Sequence, residues 1–162
     1  MPENEALAYD LFAASFFQKG PDARYLMLMA SLEALIDPQP RPATAVAHVQ
    51  SLIQLTRDAD LPEDEILSML GALKWLKSES IGETGRRLML RLSDRQYDND
   101  SAGALFRRCY RLRSDLVHGK VPRPSQSHVE SAAMHLEAML GDLLSGELLQ
   151  AVDIDAIIAA RS

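Results

Sequence analysis

The sequence has little with which to cross-link itself, coordinate a metal or cross a membrane. It holds a single cysteine, Cys109, which closes no internal disulfide, and no Cys pair is spaced for zinc or redox work. No Gly-rich phosphate loop and no Gly-x-Ser-x-Gly element occur, so ordinary nucleotide-dependent and zinc-dependent enzymes are disfavoured and no cofactor is expected. The longest strongly apolar run, Tyr25 to Ile36, contains Glu33 and falls short of the roughly 20 residues that a bilayer span requires. The opening residues, MPENEALAYD, are acidic and lack the basic region and apolar stretch of a signal peptide, which leads to the expectation of a cytoplasmic protein. Basic residues are in deficit as well. Seventeen Lys and Arg against 23 Asp and Glu give a formal net charge of −6, which argues against a surface coated for non-specific nucleic-acid binding.

What the sequence does have is helical periodicity. With 162 residues, 47% hydrophobic and 25% charged, it reads as one globular domain over 1–162. A chain of that size buries about 70% of its extended surface. Leu7, Ala8, Leu11, Phe12, Ala14 and Phe16 recur at helical spacing over residues 5–19, and Gly20-Pro21 ends that helix and permits another. From Asp22 to Ile36 the chain is apolar nearly all round, which belongs at the centre of a bundle. Glu33 within it is either a solvent-side residue or a buried acid that needs a partner, for which the arginines of residues 107–113 are candidates.

The proline-bearing 37–42 stretch is a loop, followed by a helix over about 44–59. Asp60 is the expected cap of the next helix, with Pro62 in its first turn and an apolar set from Ile66 to Leu76. Ser80 and Glu83 have the spacing of a capping box, and Ser127 and Glu130 repeat it. Residues 93–101 are the most polar stretch and read as an exposed loop, while the tail from Gly146 reads as a short docked helix or an oligomer contact. The expected fold is all-α, a bundle of about six or seven helices.

The densest chemistry lies in Phe106 to Gly119, FRRCYRLRSDLVHG. Phe106, Cys109, Tyr110, Leu112 and Leu116 form an apolar stripe, which makes Cys109 a buried small hydrophobe rather than a reactive thiol. Arg107, Arg108, Arg111 and much of Arg113 take the remaining face, and Gly119 closes the helix so that His118 falls in its last turn. Between positions 107 and 123, these arginines with Lys120 and Arg123 face only one acid, Asp115, so a local basic site on an acidic body stays open. His118 at a helix end also suits simple stabilisation of the helix dipole, with Arg113 paired to an acid. His128 and His135 lie seven apart, too far for the usual ligand spacing, and His48 is isolated, so no metal site is expected.

Arg113 and His118 in R-S-D-L-V-H, with a polar residue after the Arg and Gly after the His, resemble the signature of the HEPN superfamily. CYRLRSDLVHG, with the upstream RYLMLMASLEALI, is similar to its Apea-like branch over roughly two thirds of the chain. The resemblance implies a four-helix HEPN core and a homodimer in which two such helices pool two Arg and two His in one cleft. It also implies a metal-independent endoribonuclease acting on single-stranded RNA in defence or stress response, with a regulatory protein as a further partner, as in toxin–antitoxin systems. His118 would then move protons near neutral pH and Arg113 would hold the charged phosphate. Ser114 and Asp115 would orient the His or the RNA, and Arg107, Arg108, Arg111 and Lys120 would bind RNA. Some HEPN toxins carry Tyr two positions after the His, where this chain has Lys120. The competing expectation is a non-catalytic helical module that dimerises or binds RNA, favoured by the acidic body.

Overall fold

The structure is a computed structural model that describes residues 2–151, with side chains described up to Gly146. Seven α-helices occur among the described residues: α1 (Glu3–Ser15), α2 (Pro21–Ala34), α3 (Ala43–Arg57), α4 (Glu63–Trp75), α5 (Ile81–Met89), α6 (Ala102–Val117) and α7 (Gln126–Ala151). This is the all-α bundle expected from periodicity. The additions are a 3₁₀ turn at Leu90–Leu92 and two short strands, β1 (Gln96–Tyr97) and β2 (Asp100–Ser101). The chain forms two compact units, one made of Met1–Ile36 with Gly85–Ser162 and the other of Asp37–Thr84.

In the larger unit α2 is central, packing against α1, α6 and α7. Tyr25, Leu28, Met29 and Leu32 of α2 are buried with Leu105, Phe106, Cys109 and Leu112 of α6 and with Val129, Leu136, Met139 and Leu140 of α7. Burying each of the larger of these side chains contributes roughly 1.5–3 kcal/mol. Two buried hydroxyls within this core are satisfied across helices. Tyr25 Oη donates to the Cys109 carbonyl at 2.6 Å and Ser31 Oγ to the Ala8 carbonyl at 2.8 Å. The Tyr9 hydroxyl donates to the Leu144 carbonyl, joining α1 to α7.

Four local expectations change here. The first helix ends at Ser15 rather than at Gly20, because the N–H groups of Phe16, Phe17 and Gln18 bond three residues back and tighten the turn. The stretch expected as an exposed loop contains the β1–β2 hairpin, turned by Asp98 and Asn99 at φ 55° and 61°, and it buries Tyr97. Asp and Asn tolerate the left-handed conformation that a two-residue hairpin loop requires at both positions. Tyr97 Oη donates to Asp142 Oδ2 at 2.6 Å, which explains why a tyrosine sits there. The second capping box does not form. Ser125 caps α7 instead, its hydroxyl accepting from His128 N at 3.3 Å and its carbonyl from Val129 N at 3.1 Å, so Glu130 lies too far along to reach back. Helix α7 also continues through Gly146 to Ala151, and the rest of the tail lies outside the described residues.

In the smaller unit α3 buries Val49 and Ile53, whereas α4 buries none of its residues and Trp75 is 83% exposed. Asp60 does not cap α4; Pro62 holds the position before the first helical residue, with no side-chain cap. The first capping box is present as expected, with Glu83 N donating to Ser80 Oγ at 3.2 Å and Ser80 N to Glu83 Oε2 at 3.1 Å. The Ser80 backbone and hydroxyl donors, together with the Arg41 guanidinium, hold the Glu83 carboxyl below its ordinary range.

Candidate functional site

Helix α6 is built so that its last residues are fixed. Ser101 caps the start by accepting from Ala104 N at 3.3 Å. At the other end Gly119 takes φ +67°, and Lys120 N bonds back to the Asp115 carbonyl at 3.0 Å, the long-range bond of a Schellman turn. His118 is thereby held at the C-cap, its own N–H bonded to the Ser114 carbonyl at 3.0 Å. Its side chain is exposed and has no hydrogen-bond or ion-pair partner among the described residues.

Arg113 lies on a different side. At ~100° and ~1.5 Å per residue, positions five apart sit about 140° round the helix and ~7.5 Å along it. Arg113 shares its side with Phe106 and Cys109, and its Nε is 3.3 Å from Glu33 Oε1 on α2. That separation is an ion-pair distance without hydrogen-bond alignment. Glu33 Oε1 is buried and accepts no hydrogen bond, so the Arg113 charge compensates its desolvation. Of the two readings open for Glu33, the one with an arginine partner is the one observed.

The residues that do share the His118 face are Arg107, Arg111 and Ser114, which precede it by eleven, seven and four positions. Arg107 and Arg111 are exposed and pair with no acid among the described residues. The other cations of the segment are committed. Arg108 reaches Asp98 and Asp100, each at 2.9 Å; Lys120 Nζ reaches Asp115 Oδ2 at 2.8 Å; and Arg123 pairs with Asp22. Asp115 thus holds Lys120. A basic strip facing a single acid in the sequence becomes a strip in which folding brings in Glu33, Asp98, Asp100 and Asp22. No local signal in the sequence marked these acids as partners, apart from the pairing weighed for Glu33.

Two concavities border α6 and α7. The smaller, about 120 Å³, is lined by Asp98, Arg108, Cys109, His128 and His135, with His135 Nε2 3.6 Å from Asp98 Oδ1. Burial pushes the Cys109 thiol up to about 11, so it remains a neutral core group. The larger, about 440 Å³, is an open groove lined by Arg108, Arg111, Asp115, Lys120, Arg123 and His128. Among the described residues no three His, Cys, Asp or Glu side chains are grouped to hold a metal ion, and no helix is long and apolar enough to cross a membrane. Comparison of the chain with protein-family models, curated proteins and solved structures finds no match.

Proposed function

We propose that the chain is a metal-independent endoribonuclease of the HEPN type, cleaving single-stranded RNA through His118 and Arg113 pooled from two protomers. The observation that carries this reading is the setting of His118. It is an exposed imidazole at a capped helix end, with no acid partner among the described residues, on one face with two arginines that pair with no described acid either. Such an imidazole accepts a proton from the ribose 2′-hydroxyl as that oxygen attacks the adjacent phosphorus. The bond to the 5′-oxygen breaks, an imidazolium supplies that oxygen with a proton, and the products carry a 2′,3′-cyclic phosphate and a 5′-hydroxyl. Arg113 stabilises the charge on the phosphorane. Glu33 engages its Nε, which leaves the two terminal nitrogens for phosphate oxygens.

Because Arg113 and His118 lie on different sides of α6, the composite site calls for a twofold partner. Val117 and Val121, 50% and 90% exposed on either side of His118, offer apolar surface for that contact. A restraining protein partner and a role in defence or stress response belong to the same reading. The rival reading, a non-catalytic dimerisation or RNA-binding module, is favoured by the Arg113–Glu33 pair, which gives that arginine a structural task.

Incubation of purified protein with single-stranded RNA in EDTA separates the two. Cleavage with cyclic-phosphate ends is expected, and His118→Ala and Arg113→Ala should each lower the rate by roughly a hundredfold or more. Arg113→Ala also strips Glu33 of its counter-charge, so the double variant Glu33→Gln, Arg113→Ala, which removes both charges, separates loss of fold from loss of chemistry. A requirement for a divalent ion, or a His118→Ala variant that cuts at the parent rate, overturns this reading, and absence of cleavage leaves the interaction module in its place.

A further inference from the structure

We propose that the open groove between the end of α6 and the start of α7 binds the backbone phosphates of a single nucleic-acid strand, with Arg111 as its principal grip and His128 beside it. The groove presents Arg108, Arg111, Lys120 and Arg123, and among the described residues Asp115 is the only acid in its wall. The acids that hold Arg108 and Arg123, namely Asp98, Asp100 and Asp22, lie outside that wall, so they orient the guanidinium groups without filling the groove with negative charge. Arg111 is exposed and has no acid partner among the described residues, so its planar fork is free for two phosphate oxygens.

The rest of the described wall is Leu112, Pro122, Pro124 and His128, with no Phe, Tyr or Trp among them to form a stacking platform. Strand binding of that kind rests on phosphates and carries little sequence preference. The groove is open to solvent rather than enclosed, which suits a strand lying along it better than a small ligand buried within it. Arg111 lies two helical turns before His118 on the same face of α6, so a strand held here continues toward the imidazole. The proposal therefore extends the ribonuclease reading, yet its test does not require cleavage.

A fluorescent twelve-nucleotide oligothymidylate, which has no 2′-hydroxyl and is not cut by the route above, reports binding alone by anisotropy across a salt series. Arg111→Ala should weaken binding about tenfold at low salt and reduce the slope of log affinity against log salt by about 0.7, one phosphate contact on a single strand. Arg111→Lys should retain most of the affinity. Arg57→Ala, which removes the same charge from α3, should leave binding unchanged, and an oligodeoxyadenylate of equal length should bind within about threefold. Equal losses in the Arg57 and Arg111 variants, a strong base preference, or uridine monophosphate binding as tightly as the oligonucleotide would overturn the proposal. Arg111-dependent binding without RNA cleavage removes the ribonuclease reading and keeps the groove. Cleavage with binding indifferent to Arg111 does the reverse.

Discussion

Cys109 shows how far burial alone sets the chemistry of a side chain. Its thiol is 1% exposed, and burial raises it from 9.0 to about 11. A raised folded value means that the neutral form is preferred in the native state. The associated stability is therefore complete below about pH 9 and is lost as pH climbs through about 11. Tyr25 and Tyr97, also raised chiefly by burial, act in the same direction. Native protein at pH 7.5 should be inert to a thiol reagent and yield one thiol per chain in urea, and its urea midpoint should fall steadily from pH 9 to 11. Rapid stoichiometric labelling of the native protein would show that the thiol is accessible. The apolar stripe in the sequence made this burial legible, since Cys109 recurs with Phe106 and Leu112 at helical spacing. The counter-charges of Arg108 and Arg123 were not legible, because Asp98, Asp100 and Asp22 reach them only through folding.

Between elements, the missing side chain of Gly85 makes room for the ring of Phe106. A Cβ placed there would lie 2.1 Å from Phe106 Cζ, and Phe106 is buried and stacked on Tyr110 with ring centroids 5.9 Å apart. Replacing a helical glycine by alanine ordinarily stabilises by about 0.5–1 kcal/mol. Here overpacking reverses the sign. Gly85→Ala should cost about 1–3 kcal/mol, lowering Tm by several degrees. Gly141→Ala in α7, where nothing lies within 4 Å of the added carbon, should raise Tm slightly. Thermal melts of both variants check the pair, and a Gly85→Ala protein as stable as the parent would mean that the Phe106 ring moves aside without cost. The sequence signalled some helix starts and misread others. Ser80 and Glu83 form their capping box because every atom involved lies within one turn. Ser127 and Glu130 match the same pattern, but the chain enters α7 two residues earlier, and Ser125 takes the cap.

For the whole molecule, the proposal of a composite Arg/His site makes association and activity one question. Sedimentation at micromolar concentration should give a species of twice the 17.9 kDa chain mass. Val121→Glu places a charge on a side chain that is 90% exposed and close to His118, so it should shift the population toward monomer without unfolding the chain. RNA cleavage should fall in parallel with the dimer fraction. A wild-type monomer at that concentration, or a monomeric Val121→Glu protein that cleaves at the parent rate, removes the pooled site.

Local sequence pattern is enough to read the class of the fold, the central place of α2 and the capped end of α6 that holds His118. Each of these depends on a period of 3.6 residues or on bonds made within a single turn, so neighbouring letters suffice to read them. Which cations find an acid depends on the packed molecule. Arg113 is bound to Glu33, Arg123 to Asp22, and Arg107 and Arg111 on the His118 face pair with no acid among the described residues. The glycine at position 85 was decided in the same way, by an aromatic ring on another helix. Coulombic pairing and steric exclusion act through space between segments far apart in the chain, and their outcome exists only once the helices have packed.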